Sequence, residues 1–456
     1  MEIVTGATKR GNAPVVSYRD ADGLINTRLN VGTDVTAAKG LLANRAISQQ
    51  GVILVGEGFR LSPSERLHYL SIDSGLEKYI RPYEIGNDLT DIPEERYVID
   101  VNEISEEQLR SQLPHLYQIL AERVRPERLK NNDKTFRESW WRWGRRRPEI
   151  SDLMKEQPAY TATCRTARHR IFVRLSREVV PDAKIIFIGL SDYYSLGVVS
   201  SQIHVVWSLA AGAWLGAGND SNYNHSDCFE PFPFPSPGDL LKAKICSVAE
   251  ELDAFRKERQ KEHPHLTLTQ MYNVLEKLKA NDELDEDDER IKNEGLILIL
   301  KELHEKLDSL VFEAYDWPAT LSDEQILEKL VALNHERAEE EKRGHVRWLR
   351  PDYQIPRFGK GLDKMAAKEE QVEADLGIAA EGVKKGSFPA GAVEQTAAVF
   401  AALASAKNAI TVGDIAGGYR KSKNLEKTIA EVLASLARLG HVTTKDGKTF
   451  NIRRAA

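Results

Sequence analysis

At 456 residues and 51.3 kDa the chain is too long for one compact core, and roughly two to four domains are expected. Hydrophobic residues supply 41% and charged residues 29%, with a formal net charge of −6, the make-up of a soluble globular chain. No apolar run approaches the ~18–20 residues of a membrane helix, and the N-terminus lacks a signal pattern. Three distant cysteines (Cys164, Cys228, Cys246) exclude a disulfide scaffold or a Cys-rich zinc module. An intracellular, cytoplasmic protein with no membrane partner is expected.

Residues 1–80 read as short strands and turns. Residues 13–19, 24–29 and 51–55 are β-rich runs punctuated by glycine, with a helical stretch at 36–46 between them. Residues 97–101 (YVIDV) read as a buried strand. Residues 105–123 read as a helix opened by Ser105 and Gln108, a capping pair. Four β-branched runs follow at 159–164, 169–175, 183–188 and 195–200, as in an antiparallel or mixed sheet. Residues 202–215 are more helical and end in Gly216-Ala217-Gly218. Residues 228–237 (CFEPFPFPSP) cannot be a helix or a central strand, because proline removes amide donors, and they mark a domain boundary.

Beyond that point amphipathic helices are expected at 238–262, 268–280, 285–315 and 322–343, the last opened by Ser322 and Gln325. Residues 359–387 are rich in Lys, Glu and Gly and read as a linker. The final segment predicts helices near 390–406, 411–419 (N-capped by Thr411) and 425–439. A hairpin then turns at Asp446-Gly447, giving a winged helix-turn-helix pattern. The fold class is therefore α+β. The expected domains are a connector (1–80), a mixed α/β domain (81–237), a helical domain (238–358), a linker (359–387) and a winged-helix-like domain (388–456).

The net charge hides an asymmetry. Residues 121–174 hold fifteen Lys or Arg against seven Asp or Glu, whereas 281–290 (NDELDEDDER) are strongly acidic. A basic block in an acidic chain points to a polyanionic partner. Within it Trp140, Trp141 and Trp143 alternate with Arg137, Arg142, Arg145, Arg146 and Arg147. The expected arrangement buries the tryptophans and turns the arginines toward a phosphate-lined groove. Arg165, Arg168 and Arg170, beside His169, form a second cluster able to hold phosphate through bidentate hydrogen bonds. In the C-terminal segment Lys421, Lys423, Lys427, Lys445 and Lys448 lie near the third helix and wing, which suits either DNA contact or a protein-docking module with solvated lysines.

Catalytic constellations are missing from the sequence. Gly56-Glu57-Gly58 and Gly216-Ala217-Gly218 have no Gly-Lys-Ser/Thr after them, and no Cys-x-x-Cys, His-Glu-x-x-His or Gly-x-Ser-x-Gly occurs. Glu149, Asp152 and Asp182 with Lys184 have no spacing specific to a nuclease metal site. No catalytic residue and no metal ligand is nominated.

An ordered set of motifs is more informative. It comprises residues 81–89 (RPYEIGNDL), Tyr97 to Asp100, Arg137-Glu138-Ser139-Trp140-Trp141, Arg147-Pro148-Glu149, and Tyr160 to Arg165 with His169-Arg170. Leu196 to Ser201 with His204 and Trp207, Tyr223-Asn224, Cys228-Phe229 and Pro231-Phe232-Pro233 complete it. Together they resemble the target-recognition part of MmeI-like Type IIG (IIL) enzymes, a restriction–modification family of adenine DNA methyltransferases. The likeness runs over residues 81–353. Residues 1–80 look like the segment that joins methylase and recognition regions in that family.

The resemblance implies sequence-specific reading of double-stranded DNA. It nominates Ser200, Ser201, Gln202 and His204, then Asn219, Asp220, Ser221 and Asn222, as base readers. Asn and Gln pair bidentately with adenine, Asp accepts from cytosine, and Ser suits either. Phosphate contacts fall to Arg137, Arg142, Arg145, Arg146, Arg147, Arg165, Arg168 and Arg170. The family's methylase carries an S-adenosylmethionine loop and an Asn-Pro-Pro-aromatic motif, and no Asn-Pro-Pro occurs in this sequence. The expectation is a specificity subunit, or the C-terminal half of such an enzyme, with no cofactor of its own. It would work beside a methylase partner that binds S-adenosylmethionine. A self-sufficient methyltransferase with an unfamiliar site and a winged-helix regulator or adaptor stand as alternatives.

Overall fold

A computed structural model describes residues 2–10, 13–20, 32–215, 220–362, 388–389, 391–405, 410–420, 424–438, 441–444 and 448–452. The chain divides into two compact units, Met1–Ala366 and Ala367–Ala456. The fold is α+β, as expected. None of the described helices is long and apolar enough to cross a membrane.

The first unit is built on an antiparallel sheet in the strand order Ser48–Gln50, Ile185–Ile188, Ala159–Cys164, Phe172–Ser176. Every residue of Ala159–Cys164 is buried, so both faces of this strand are covered. Its two threonines are tolerated there because Thr161 Oγ1 donates to Leu190 O (3.1 Å) and Thr163 Oγ1 to Ile171 O (2.7 Å). A second sheet orders Val180–Pro181, Ile80–Glu84, Tyr97–Ile99 and Arg60–Leu61. Its core takes in Trp140, Trp141 and Trp143. Trp141 and Trp143 donate their indole N–H groups to Ile104 O and Ile99 O, each at 3.0 Å. A hairpin of Glu2–Arg10 and Ala13–Asp20 precedes the sheets. Residues 24–29, expected as a strand, lie outside the described residues.

Several local expectations yield to chemistry that periodicity does not show. Residues 195–200 belong to a helix, Tyr193–Ser200, because Asp192 caps it by accepting from Ser195 N at 2.8 Å. The 105–123 helix splits at Leu113 into Glu106–Gln112 and Pro114–Arg123, as Pro114 cannot donate within a helix. The 285–315 helix splits at Leu296, whose φ is +46°. Residues 36–46 make two short 3-10 turns, and residues 51–55 contribute single bridges rather than a strand. Residues 202–215 form the helix Gln202–Ala211 followed by the strand Ala213–Leu215.

The expected domain borders at 80 and 237 are not borders of packing. One apolar core joins Val35 and Ile47 to the sheet, to Phe229, Phe232 and Phe234 of the proline-rich segment, and to the helices as far as Tyr353. The proline-rich segment turns its carbonyls toward residues 41–44, and Leu41 N donates to Glu230 O at 3.0 Å. Asn44 Nδ2 donates to the carbonyls of Phe229 (3.1 Å), Glu230 (3.0 Å) and Phe232 (2.7 Å). Helices Tyr193–Ser200 and Asp239–Glu262 approach closely at Gly197, where a Cβ would stand 2.8 Å from Ile245 Cγ2. The connector, the sheet and the long helices therefore pack as one body.

The second unit has the order helix Ala392–Ser405, strand Ile410–Thr411, helices Val412–Gly417 and Leu425–Arg438, and strands Val442–Thr443 and Thr449–Ile452. The three strands are antiparallel with Thr449–Ile452 in the centre, and Thr411 caps its helix as expected. Val399, Leu403, Ile429, Leu433 and Phe450 form its own core. Asp446-Gly447, Lys421, Lys423, Lys445 and residues 363–387 of the expected linker lie outside the described residues.

The shared core gives a direct test. Ile47→Ala in the connector and Leu307→Ala in the Ile297–Ala314 helix each remove a fully buried side chain, and each should cost about 2–5 kcal/mol. Chemical denaturation should show both changes in one transition. Separate transitions for the two variants would restore the border at 237.

Candidate nucleic-acid interface

Residues around the expected readers build a three-stranded antiparallel ribbon of Ala213–Leu215, Asp220–Asn222 and Thr166–Ala167. Its mount is a buried arginine. Arg170, 7% exposed, donates through Nη2 to Ser221 O (2.9 Å) and Ser221 Oγ (2.7 Å). Through Nη1 it reaches Thr163 Oγ1 (3.2 Å) and Cys164 O. The guanidinium thus ties the ribbon to the central strand of the main sheet. Burial disfavours its charge and lowers its pKa, and the hydrogen bonds compensate.

A second tie runs beside it. His204, 0% exposed, has its Nε2 3.0 Å from Tyr223 Oη, and Tyr223 N donates to Arg165 O at 2.7 Å. Burial, with Arg170 nearby, pushes the His204 pKa down to about 3 from the ordinary 6.5, so the ring is neutral. Phe172, Tyr223 and Phe232 surround it edge-on or tilted.

Side chains alternate along a strand, and this decides which ribbon residues face outward. Ser221 pairs with Ala167 and points at Arg170. Asn222 pairs with Thr166 on the opposite face, and Asp220, two residues back, shares that face. Thr166 and Asp220 are exposed, and so is Arg168, which follows the strand directly. Asn222 is partly buried, with its Oδ1 shielded and unbonded. Trp214, at the ribbon's edge, is 50% exposed. The outward face therefore combines an acceptor, a hydroxyl, an amide and a cation.

The nominated base readers separate accordingly. Asp220 and Asn222 stand on the outward face. Ser221 and His204 are internal, as are Ser201, whose Oγ donates to Val198 O at 2.7 Å, and Ser200. In this structure all four are turned away from solvent, and of them Ser221 and His204 hold the ribbon. Gln202 is exposed but elsewhere: its N donates to Asp308 Oδ1 (2.7 Å) and its Nε2 to Asp323 Oδ1 (3.4 Å). Two carboxylates make that a poor place for a phosphate backbone. Asn219 lies outside the described residues.

The arginines separate too. Arg170 is internal. Arg137 Nη1 donates to Asn131 O (2.7 Å) and Asn132 O (2.8 Å), and Arg142 lies over the Trp141 ring. Arg146 donates to Asn102 O (3.2 Å) and lies 3.8 Å from Glu103. These three hold loops while remaining partly accessible. Arg147 takes a left-handed φ of +52° just before Pro148, and its charge lowers the pKa of the largely buried His225, after burial itself. Arg145 and Arg165 are exposed, with no side-chain ion pair among the described residues. Arg168 stands within electrostatic range of Glu276.

Sequence reasoning misses Thr166, for which the only signal is its place in the ribbon. Of the carboxylates considered for a metal, Asp182 accepts from Tyr83 Oη (2.6 Å) and Lys184 N (2.8 Å), and Asp152 from Lys155 Nζ (2.6 Å).

Two outcomes distinguish mount from face. Arg170→Ala should lose several charge-assisted hydrogen bonds and destabilise the fold by about 2–5 kcal/mol, whereas Arg168→Ala should change stability by under about 0.5 kcal/mol in denaturant titrations. Equal effects would dismiss the distinction. For His204 the folded pKa lies below the unfolded one, so its contribution is complete above pH 6.5 and falls as pH drops toward 3. His204→Gln should make the stability loss between about pH 7 and about pH 4.5 shallower.

Comparison with known proteins agrees with this architecture. A family model described as "MmeI, target recognition domain" matches residues 43–236, beginning within the segment expected to be a connector. DNA methyltransferase A of Bacillus subtilis (strain 168) is 28% identical over 149 residues, covering 33% of this chain and 14% of that protein. The solved structure of the Type IIL restriction-modification enzyme MmeI in complex with DNA shares the fold. Its TM-score is 0.53 at 16% identity, over 72% of this chain and 40% of that one. The chain thus spans well under half the length of both. Residues 43–236, which hold the buried arginine and its polar ribbon, are thus similar to the target recognition domain of MmeI in sequence pattern and in fold.

Proposed function

We propose that this chain reads a short base sequence in duplex DNA and so sets where a separate methylase domain or subunit acts. The observation that carries this reading is the ribbon's outward face. The major groove admits a two-stranded β-ribbon, which Asp220–Asn222 and Thr166–Ala167 supply within the three-stranded ribbon, and there Asp accepts from the cytosine amino group and Arg pairs with guanine. Asp220 is the leading reader, with Thr166, Arg168 and Asn222 beside it. Arg145, Arg147 and Arg165 supply sequence-independent phosphate contacts that fix register.

Methyl transfer to a base requires that the base leave the stack and meet both a donor and a pocket. The reading assigns S-adenosylmethionine and the transfer step to the partner methylase, since the sequence contains no Asn-Pro-Pro motif. The same reading takes the second unit as a winged helix that adds a weaker grip through Lys427 and Lys448, near its last helix and strand.

Selection from random duplexes, followed by salt titration, tests the division of labour. Asp220→Asn should change the preferred base at one position. Arg145→Ala with Arg165→Ala should weaken binding to every sequence and reduce the salt slope by about one unit per lost contact. An unchanged sequence preference removes Asp220 as a reader, and an unchanged salt slope removes the two arginines.

A further inference from the structure

Away from the ribbon, two imidazoles and a carboxylate converge. His263, His265 and Glu294 place one ligating atom each within 4.8 Å of the others. His265 Nε2 lies 2.8 Å from Glu294 Oε2, and the two imidazole rings stand 6.0 Å apart, edge to face. His263 is the C-cap of the Asp239–Glu262 helix, and Glu294 is the last residue of Glu286–Glu294.

The arrangement is held from both sides. Pro264 restricts the backbone between the histidines. His263 N donates to Arg259 O (2.9 Å) and Leu266 N to His263 O (2.8 Å), closing the turn. Leu266, just after His265, and Ile291, one helical turn before Glu294, are both buried in the main core. Neither segment can move far without disturbing that core.

We propose that His263, His265 and Glu294 form a binding site for a borderline divalent transition-metal cation, zinc being the best fit. Two imidazole nitrogens and one carboxylate oxygen are a zinc donor set, whereas magnesium and calcium take oxygen ligands. Tetrahedral ligands at zinc distances stand roughly 3.3 Å apart, so the His265–Glu294 pair opens slightly and His263 closes in. His265 is exposed, which leaves the fourth position to water. Arg290 is the resident competitor: its Nη1 lies 3.4 Å from Glu294 Oε2 while its Nη2 pairs with Asp287. The metal takes the place of that cation at Glu294. Once bound, it joins the turn after one long helix to the end of another and stabilises the folded chain by mass action.

The test uses the full chain without a histidine tag, stripped by a chelator and titrated with zinc chloride by calorimetry and with cobalt chloride by visible absorption. A single saturable site, cobalt d–d bands and a zinc-dependent rise in Tm are expected. His265→Gln and Glu294→Gln, with far-UV circular dichroism confirming their fold, should each lower zinc affinity by about tenfold or more, and Arg290→Gln should raise it. Absence of saturable zinc binding by the unmodified chain, or affinity unmoved by these substitutions, overturns the site.

Discussion

The structure turns on one buried guanidinium. Arg170 lies among apolar and aromatic groups with no carboxylate partner among the described residues; hydrogen bonds to Ser221, Thr163 and Cys164, with the Tyr223 ring 5.3 Å from its guanidinium, make its burial tolerable. A charge so placed is costly unless its partners hold still, so it fixes the ribbon as strictly as the ribbon satisfies it. The His204–Tyr223 pair and the Tyr223 N to Arg165 O bond extend that mount to the end of the strand. A recognition surface needs such rigidity, because base edges are told apart by hydrogen bonds that tolerate little displacement.

Strand alternation then separates two jobs in adjacent residues. Ser221 belongs to the mount, and Asp220 and Asn222 belong to the face. Substitution on the outward face leaves the Arg170 network intact, so the chemistry presented to a ligand is free to vary without loss of the fold. Substitution on the inward face unsettles the fold before it alters any contact with DNA.

Much of the architecture was legible in the sequence. The strand at Ala159–Cys164, the capping pairs at Ser105 and Ser322, the N-cap at Thr411 and the helix Leu268–Ala280 follow from periodicity and local hydrogen bonding. The ordered motifs pointed to the MmeI type of recognition domain. The borders of packing were hidden, because Ile47 and Asn44 meet the proline-rich segment across nearly two hundred residues of chain. So was the difference between an arginine that faces outward and one that serves as internal support. Arg168 and Arg170 are two residues apart, yet one is exposed and the other sealed among carbonyls and hydroxyls. Spacing does not reveal burial of that kind. The Ser-Ser-x-x-His box, nominated for base reading, is buried: Ser201 Oγ bonds to Val198 O at the end of its own helix, and His204 meets Tyr223 behind the ribbon.

The central claim is that the outward face of the ribbon meets base edges. Site-specific photo-crosslinking tests it most directly, with a photoreactive residue introduced at Thr166 or at Asp220 and DNA carrying the selected sequence. The account predicts crosslinks from both positions to bases within a single short site. Crosslinks confined to the sugar–phosphate backbone, or none from either position while the protein remains bound, would contradict it.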